Sequence, residues 1–399
     1  MPSQNSQMNS DTANPLHGIR VVDLSRLVAG NMISHALADF GADVIKIEKP
    51  GSGDDLRNWK EEGVEIFWKA YSRNKRSVCW NLKNEEDKEN LLKLVSTANV
   101  FIENFVPGKL EEMGLGPGVL HQVNPKLIIV RVSGWGQTGL YKKRPGFGTL
   151  VEAMSGYAHL NGFPDKPPAL PPLATADMIA GLYGAYAIMV ALRNIETNGG
   201  SGQVIDVALF ESIFSFIASE PIKHRVSGNV SERLGNQAIN TAPRNVYPTS
   251  DGKHIALSAA VQSMCERLLR AIGKPELIED PRFIDNESRV KNRGAIDAII
   301  GEFISQKTQE ENLEFFEKAG VTVGPVLAAD AVMTHQYTKD REILSEFEDP
   351  ELGSIPAHTP LPRLSQTPGK LNTPAPKLGE HTKEIEEELE KKDFHHRGH

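Results

Sequence analysis

The sequence predicts an α/β protein with a doubly wound parallel-sheet large domain and a smaller α+β domain. In the first part of the chain, short apolar runs alternate with helical patterns, which favours parallel strands covered by helices. The alternation ends after about residue 132, and residues 224–245 are polar and lack periodicity. An Asp-Gly pair at 251–252 then precedes the apolar run 254–259, which is typical of a hairpin strand.

The alternation begins with residues 19–24 (IRVVDL) and 43–47 (DVIKI), two predicted buried strands with a helix over residues 30–41 between them. The pattern then repeats. Further strands are predicted at 77–82, 99–105 and 127–132, and an amphipathic helix at 85–98. We therefore expect a sheet of four or five parallel strands.

The later part of the chain starts with a long apolar helix, predicted from Asp177 to about Ile195 and ended by Gly199 and Gly200. Further helical patterns cover residues 261–272 and 289–318, and the Pro-rich stretch 346–378 is expected to wrap over a surface. The expected organisation is a flexible arm at 1–16, a large domain at 17–215 and 330–399, a small domain at 225–325, and linkers at 200–225 and 325–345.

Composition narrows the functional classes. The net charge of −8 over 399 residues and the lack of a basic stripe argue against a nucleic-acid partner. The two cysteines, Cys79 and Cys265, form no Cys-x-x-Cys pair, so neither a disulfide framework nor a metal site is expected. We expect no membrane partner and a cytoplasmic location, because residues 1–16 lack the apolar stretch of a signal peptide.

Several common catalytic motifs are missing from the sequence. The turn after the first strand, SRLVAGNM (25–32), holds one glycine instead of the spaced glycines of a dinucleotide site. The chain has no GxxxxGK[ST] loop, no GxSxG elbow and no HExxH pair. Hydride transfer, nucleotide hydrolysis and serine hydrolysis therefore lack their usual residues.

Asp177 lies at the start of the long apolar helix, in the stretch PPLATADMIAGLYGA (171–185). Two interpretations of this residue remain open from the pattern alone. It can be a helix cap that complements the helix dipole. It can also be a covalent nucleophile, with helix amides nearby to stabilise an oxyanion and with Gly181 and Gly184 allowing close approach.

The order of motifs along the chain adds a resemblance. The matching blocks are LHGIRVVDLS (16–25), ADFGADVIKIEKPGSGDD (38–55), SRNKRSV (72–78), VFIENFVPGKLEEMGLG (100–116), SGWGQTGLYKKRPGF (133–147), AMSG (153–156), DMIAGLYGA (177–185), GSGQVIDVALFES (200–212), VYPTSDG (246–252), GVTVGPV (320–326) and LGEHT (378–382). Together they resemble the class III CoA-transferases, a family that includes formyl-CoA transferase and carnitine CoA-transferase.

The resemblance implies an enzyme that moves CoA reversibly from an acyl-CoA donor, with succinyl-CoA a common donor, to a carboxylic acid. Asp177 would be the nucleophile, and the reaction would pass through an aspartyl-acyl anhydride and an aspartyl-CoA thioester. CoA would be a substrate, with no tightly bound cofactor. The family also implies a homodimer of interlocked rings, with each chain threaded through the other.

The resemblance also implies a CoA pocket next to the first strand–helix–strand unit. Its residues would be Leu27, Val28, Ala29, Lys49, Lys83, Asn104, Phe105 and Met113. Lys49 and Lys83 follow predicted strands and would meet the CoA phosphates, while Phe105 would line the adenine or pantetheine path. The alternative that these lysines are solvated loop charges and that Phe105 belongs to the core stays open.

Departures from the family pattern limit what can be carried over. Val28 stands where formyl-CoA transferase has glutamine, Gly148 stands where many relatives carry an acidic residue, and a glycine-rich loop is missing around residues 225–260. Formyl and oxalyl substrates are therefore not expected. Arg244, Asn240 and His224 are candidates for binding a second carboxylate of the acceptor, or are linker residues.

Two alternative functions remain. The α-methylacyl-CoA racemases resemble this chain but use a histidine in a Gly-His-Asp segment, where this chain reads Pro-Gly-Phe-Gly at 145–148. A racemase would turn over a single acyl-CoA and incorporate solvent deuterium. A non-catalytic acyl-CoA-binding protein would bind without chemistry.

Overall fold

The computed structural model describes residues 14–396, so residues 1–13 of the predicted arm lie outside the described residues. The chain forms two compact units. The first comprises the described residues up to Ser155, Pro171–Ile217 and the chain from Lys339 on; the second comprises Gly156–Leu170 and Ala218–Thr338.

Strands and helices alternate through the first unit. The strands of the chain are β1 Arg20–Asp23, β2 Asp43–Glu48, β3 Lys75–Cys79, β4 Val100–Glu103, β5 Ile128–Ser133, β6 Val204–Ala208, β7 Arg244–Pro248, β8 His254–Ser258, β9 Val323–Pro325, β10 Leu344–Asp349 and β11 Gly353–His358. The α-helices are α1 Ala29–Ala38, α2 Ile66–Tyr71, α3 Glu85–Ser96, α4 Lys109–Glu112, α5 Pro117–Val123, α6 Gly148–Met154, α7 Tyr157–Leu160, α8 Thr175–Asn198, α9 Leu209–Phe214, α10 Ser219–Ser227, α11 Gln262–Ala271, α12 Asn286–Lys291, α13 Arg293–Ile304, α14 Gln309–Lys318, α15 Ala329–Thr334, α16 Gln336–Asp340 and α17 Thr382–His396.

The sheet of the first unit has the strand order β3-β2-β1-β4-β5-β6, and all of its pairings are parallel. Helices α1 and α8 contact one face, while α3, α5 and α17 pack over the other. The chain order reverses between β1 and β4, so the loops after these two strands open a crevice at their carboxyl ends. This is the doubly wound arrangement that the alternation predicted.

The five strands predicted from apolar runs are all present, and the sheet gains β6 from the apolar stretch after residue 203. The third strand begins two residues earlier than predicted, at Lys75, because that buried lysine does not register as part of an apolar run. The Pro-rich stretch after residue 346 was expected only to wrap over a surface. It starts instead within an antiparallel hairpin formed by β10 and β11.

The second unit is α+β. Strands β7, β8 and β9 form an antiparallel sheet, as the Asp-Gly hairpin signal indicated for β8. Its core includes Ile255, Leu268, Ile300 and Phe316, contributed by β8 and by helices α11, α13 and α14. The polar stretch that begins at residue 224 starts within α10, and the helical pattern over 289–318 divides into three helices.

Helix α8 is apolar on both sides. Its inner side packs closely on α1. Two glycines allow this approach, since a Cβ at Gly181 would overlap Met32 and a Cβ at Gly184 would overlap Ile33. Its outer side exposes Leu182, Tyr183, Tyr186, Met189 and Val190. By length and composition alone this helix could cross a membrane, a test that the core helices of globular proteins also pass.

Candidate active site

Asp177 lies in the first turn of α8 without being its cap. The N-cap residue is Ala174, which offers no side-chain hydrogen bond to the helix. Asp177 is therefore not the N-cap, but as the acidic residue of the first turn it complements the helix dipole. Its side chain is partly buried, so the structure holds a carboxylate in the first turn of an apolar helix without the usual capping role.

The surroundings of Asp177 make its carboxyl group a weaker acid than usual. Burial is the main cause, the charge of Glu152 is the second, and together they raise the pKa of Asp177 from 3.8 to about 6. Glu152 lies on α6 and is almost fully buried. Two carboxyl groups therefore lie close together in a poorly solvated space, an arrangement that is typical of catalytic carboxylates.

Gly148 at the start of α6 borders this volume. A Cβ at this position would overlap Asp177 Oδ2 and would lie 3.8 Å from Glu152 Oε1. A side chain at position 148 is therefore incompatible with the observed position of Asp177. The glycine that departs from the family's acidic pattern at this position keeps the space beside the carboxylate open.

One expected oxyanion donor is already engaged. The Ala176 N–H donates to Glu152 Oε1 at 3.0 Å. This amide of the first turn of α8 therefore holds Glu152 in place, and the sequence-based expectation that the helix amides face the reacting oxygen does not hold for Ala176.

An apolar cluster borders the other side of this turn. Val28, Leu56 and Trp68 are buried together, and Ala174 and Met178 pack against them. Because Ala174 and Met178 flank Asp177 in sequence, Val28 lies against the turn that carries the carboxylate.

A cavity of about 350 Å³ opens at the carboxyl ends of the strands in the first unit. It brings together four of the predicted CoA-binding residues, namely Lys49, Lys83, Phe105 and Met113. Its apolar wall is completed by Leu24, Ile47, Trp80 and Leu82, and its exposed cations include Arg26 and Lys109. A rim of positive charge around an apolar interior suits a ligand with phosphates and an aliphatic arm.

The other four predicted residues do not line this cavity. Asn104 directs both ends of its amide to the backbone of Arg26, accepting from its N–H at 2.8 Å and donating to its carbonyl at 2.6 Å. Leu27 has a φ of +60°, and Val28 and Ala29 are buried where α1 begins. These residues form the loop beside the cavity.

Sequence reasoning missed Arg26, Lys109 and Glu152. Arg26 and Lys109 follow β1 and β4, and a search for cations after adjacent parallel strands would have found both. Arg26 also lies 5.5 Å from the Phe105 ring centroid. Glu152 has the weaker signal of an acidic residue within an otherwise uncharged helix.

The second unit has its own polar cavity, of about 580 Å³. Asn240 and Arg244 line it, as do Lys223 and Gln237. His224, the third candidate for a second carboxylate, does not line it, and its Nδ1 lies 3.2 Å from the Asn229 carbonyl oxygen.

The chain matches the family described as CoA-transferase family III over residues 16–382. It therefore belongs to CoA-transferase family III, and the resemblance seen in its motifs is confirmed. It is an enzyme that transfers CoA between acids, with CoA thioesters as substrates.

The chain is similar to relatives with named CoA-transferase activities and to a solved structure. The chain is 37% identical to the succinyl-CoA–D-citramalate CoA-transferase of Chloroflexus aurantiacus, with 93% of each chain covered. It is 35% identical to the succinate–glutarate CoA-transferase of Agrobacterium fabrum, covering 94% of this chain and 96% of that one. A CAIB/BAIF family protein from Brucella suis has the same fold, with a TM-score of 0.83 and 34% identity over 95% of this chain and 100% of that one.

Proposed function

We propose that this enzyme moves CoA from succinyl-CoA to a small dicarboxylic acid through covalent intermediates on Asp177. The observation that carries the proposal is the Asp177 carboxylate, which is partly buried, is not used as a cap and has a pKa raised to about 6. Such a group is ionised at neutral pH yet poorly solvated, and both properties favour nucleophilic attack.

The proposed reaction has four steps. An Asp177 oxygen attacks the thioester carbonyl of succinyl-CoA, which gives a mixed anhydride and releases CoA thiolate. The thiolate attacks the aspartyl carbonyl, which gives an aspartyl-CoA thioester and free succinate. The acceptor carboxylate attacks this thioester, and the released thiolate then attacks the acceptor carbonyl, which regenerates the Asp177 carboxylate.

The cavity in the first unit is the proposed site for the CoA moiety. Lys49 and Lys83 would pair with its phosphates, and the apolar wall around Phe105 and Met113 would contact the adenine or the pantetheine arm. Leu27, Val28, Ala29 and Asn104 would act from the adjoining loop.

The choice of substrates draws on the relatives and on the two departures at the site. The names of the two relatives pair succinyl-CoA or succinate with citramalate or glutarate, which are dicarboxylic acids. Val28 and Gly148 leave an apolar and open environment beside Asp177, which suits the methylene groups of a succinyl chain.

We also propose that the enzyme is a homodimer of interlocked chains in the cytoplasm. The exposed apolar side of α8, which includes Leu182, Tyr186 and Val190, supports self-association. The mass measured by light scattering is expected to be that of two chains. A wild-type mass equal to that of one chain would contradict the dimer.

The function is tested by incubating the enzyme with succinyl-CoA and each of several acids. Citramalate, malate and glutarate are expected to yield their CoA thioesters with release of succinate, whereas formate and oxalate are not. Deuterium exchange into succinyl-CoA without transfer would contradict the proposal and favour a racemase.

A further inference from the structure

Three successive residues lie in the loop between β1 and α1, namely Ser25, Arg26 and Leu27. In each of them, side chains bind both the backbone N–H and the backbone carbonyl. The Ser25 N–H donates to Asp23 Oδ1 at 2.9 Å, and the Ser25 carbonyl accepts from Lys46 Nζ. Asn104 binds both backbone groups of Arg26. A surface loop is ordinarily hydrated along its backbone, so this loop is unusually constrained.

The third residue of the loop, Leu27, is the most restrained. Its φ of +60° is unfavourable for a residue with a side chain and persists only where neighbours enforce it. The Leu27 N–H donates to Asp54 Oδ1 at 2.9 Å, and its carbonyl accepts from Asn31 Nδ2 at 2.6 Å. Asn31 Nδ2 also donates to Asp54 Oδ2 at 2.8 Å, which joins the two clamps.

Buried charges anchor these clamps. Lys46 Nζ lies 2.9 Å from Asp54 Oδ2 and 3.2 Å from Asp23 Oδ1, and all three side chains are almost fully buried. Lys75 Nζ donates to Asn31 Oδ1 at 3.0 Å. Buried ion pairs add little to stability when compared with apolar packing, but they fix one arrangement of their partners.

The restrained loop touches both parts of the site. Ser25 and Arg26 line the cavity in the first unit. Val28 packs in the cluster with Ala174 and Met178, on either side of Asp177. The Ala29 carbonyl lies so close to α8 that a Cβ at Gly181, one turn after Asp177, would come within 3.2 Å of it.

We propose that Asp54 is a positioning residue for the acylation of Asp177, acting through the left-handed backbone of Leu27. The proposal rests on the proposed role of Asp177 as nucleophile. The Asp54 carboxylate, neutralised by Lys46, holds Leu27 in place, and Leu27 sets the position of Val28 against the turn that carries Asp177. Loss of this clamp leaves all reacting groups present but moves the loop that connects the CoA cavity to the nucleophile.

The test compares Asp54→Asn with a matched variant, Asp39→Asn. Asp39 is an equally buried carboxylate that pairs with Arg73 at the other end of α1, away from the loop. Mass spectrometry would follow adduct formation on Asp177 in a single turnover at saturating succinyl-CoA. Because small misplacements of reacting groups cost up to ~10²-fold, we expect Asp54→Asn to slow this step by about 10- to 100-fold and Asp39→Asn to leave it within about twofold.

A rescue separates positioning from a loss of stability. Glycine adopts the left-handed region without strain. In a Leu27→Gly background, Asp54→Asn should therefore slow adduct formation by a factor at least about threefold smaller than in the wild type. A purely structural role for Asp54 would predict equal slowing in both backgrounds. Denaturant midpoints of all variants show whether each one is folded.

A second variant keeps the proposal testable when Asp54→Asn fails to fold. Asn31→Ala removes the contact to the Leu27 carbonyl and the contact to Asp54 Oδ2, and Lys75 keeps the Asn31 backbone carbonyl as an acceptor. We expect Asn31→Ala to slow adduct formation about tenfold.

Adduct formation at the wild-type rate in folded Asp54→Asn or Asn31→Ala would overturn the positioning proposal. A wild-type enzyme that transfers CoA without an adduct on Asp177 would instead overturn the proposed nucleophile, so the two failures are distinguishable.

Discussion

Asp54 and Asp177 are both aspartates in the first unit, and both are shielded from water, yet their environments are opposite. Asp54 is surrounded by donors: Lys46 lies 2.9 Å away, and the N–H groups of Leu27 and Leu56 each donate at 2.9 Å. Burial by itself would raise the pKa of Asp54, but the charge of Lys46 and these hydrogen bonds outweigh it and lower the pKa. Asp177 has another carboxyl group, Glu152, as its charged neighbour, and its pKa is raised to about 6.

The difference shows how one residue type serves two purposes. A carboxylate whose lone pairs are all engaged is a poor nucleophile but a rigid anchor. A carboxylate with few hydrogen-bond donors retains reactive lone pairs, and its burial costs stability.

The largest expected effect is that of losing the Asp177 carboxylate. Asp177→Ala should lower the transfer rate by about 10⁴-fold or more, because the covalent route has no other nucleophile. Asp280→Ala, which removes a partly buried aspartate paired with Arg282 in the second unit, serves as the control in the same CoA-exchange assay. Full activity in Asp177→Ala would remove the contrast between the two aspartates.

The second effect concerns the space beside Asp177. Gly148→Ala places a Cβ against Asp177 Oδ2 and should lower kcat by about 10- to 100-fold by displacing the carboxylate. Gly118→Ala is the matched control, because a Cβ at this α5 residue meets no atom within 4 Å. Equal rates in both variants would show that the space at position 148 is not needed.

The third effect concerns the cationic rim of the cavity. Lys83→Ala should raise the KM for succinyl-CoA by about tenfold with little change in kcat, since a phosphate contact is present in both the ground state and the transition state. The effect should shrink at high salt. Lys88→Ala, which removes a lysine paired with Glu85 on α3, should leave the KM unchanged.

The fourth effect is a change in pH dependence. The rate should rise as Asp177 ionises, with a midpoint of about pH 6. Glu152→Gln keeps an acceptor for the Ala176 N–H but removes the neighbouring charge, so the midpoint should move below pH 6. An unchanged midpoint would show that burial alone sets the pKa of Asp177.

The smallest effect is on stability. The pKa of Asp177 is higher in the folded than in the unfolded chain, so its ionisation destabilises the fold as the pH rises from about 4 to 6. Asp177→Asn should therefore increase the free energy of unfolding at pH 7.5 by about 1–3 kcal/mol, and by much less at pH 4. Denaturant titrations at both pH values measure this difference, and an equal gain at both would contradict it.

Much of the fold was predictable because it depends on short-range patterns. The apolar runs of β1, β2, β4 and β5 are continuous, since strands covered on both faces need no polar side. The start of β3 was less visible because Lys75 is buried by pairing with groups distant in sequence. A single sequence does not reveal such long-range partners.

The sequence predicted candidate residues of the site but not their internal contacts. The order of motifs led to Asp177 and, through the same resemblance, to Lys49 and Lys83, which line the cavity. The proximity of Glu152 to Asp177 and the clamp of Asp54 on Leu27 depend on how separate elements pack. These contacts appear only when helix and loop positions are known.

The most direct test of the central claim follows oxygen through the enzyme. In the proposed route, an oxygen of the acceptor carboxylate remains on Asp177 after CoA has left. Turnover with succinyl-CoA and an ¹⁸O-labelled dicarboxylate should therefore place ¹⁸O in the peptide that contains Asp177, as measured by mass spectrometry, and labelling should cease in Asp177→Asn. Complete CoA transfer without ¹⁸O on Asp177 would contradict the account.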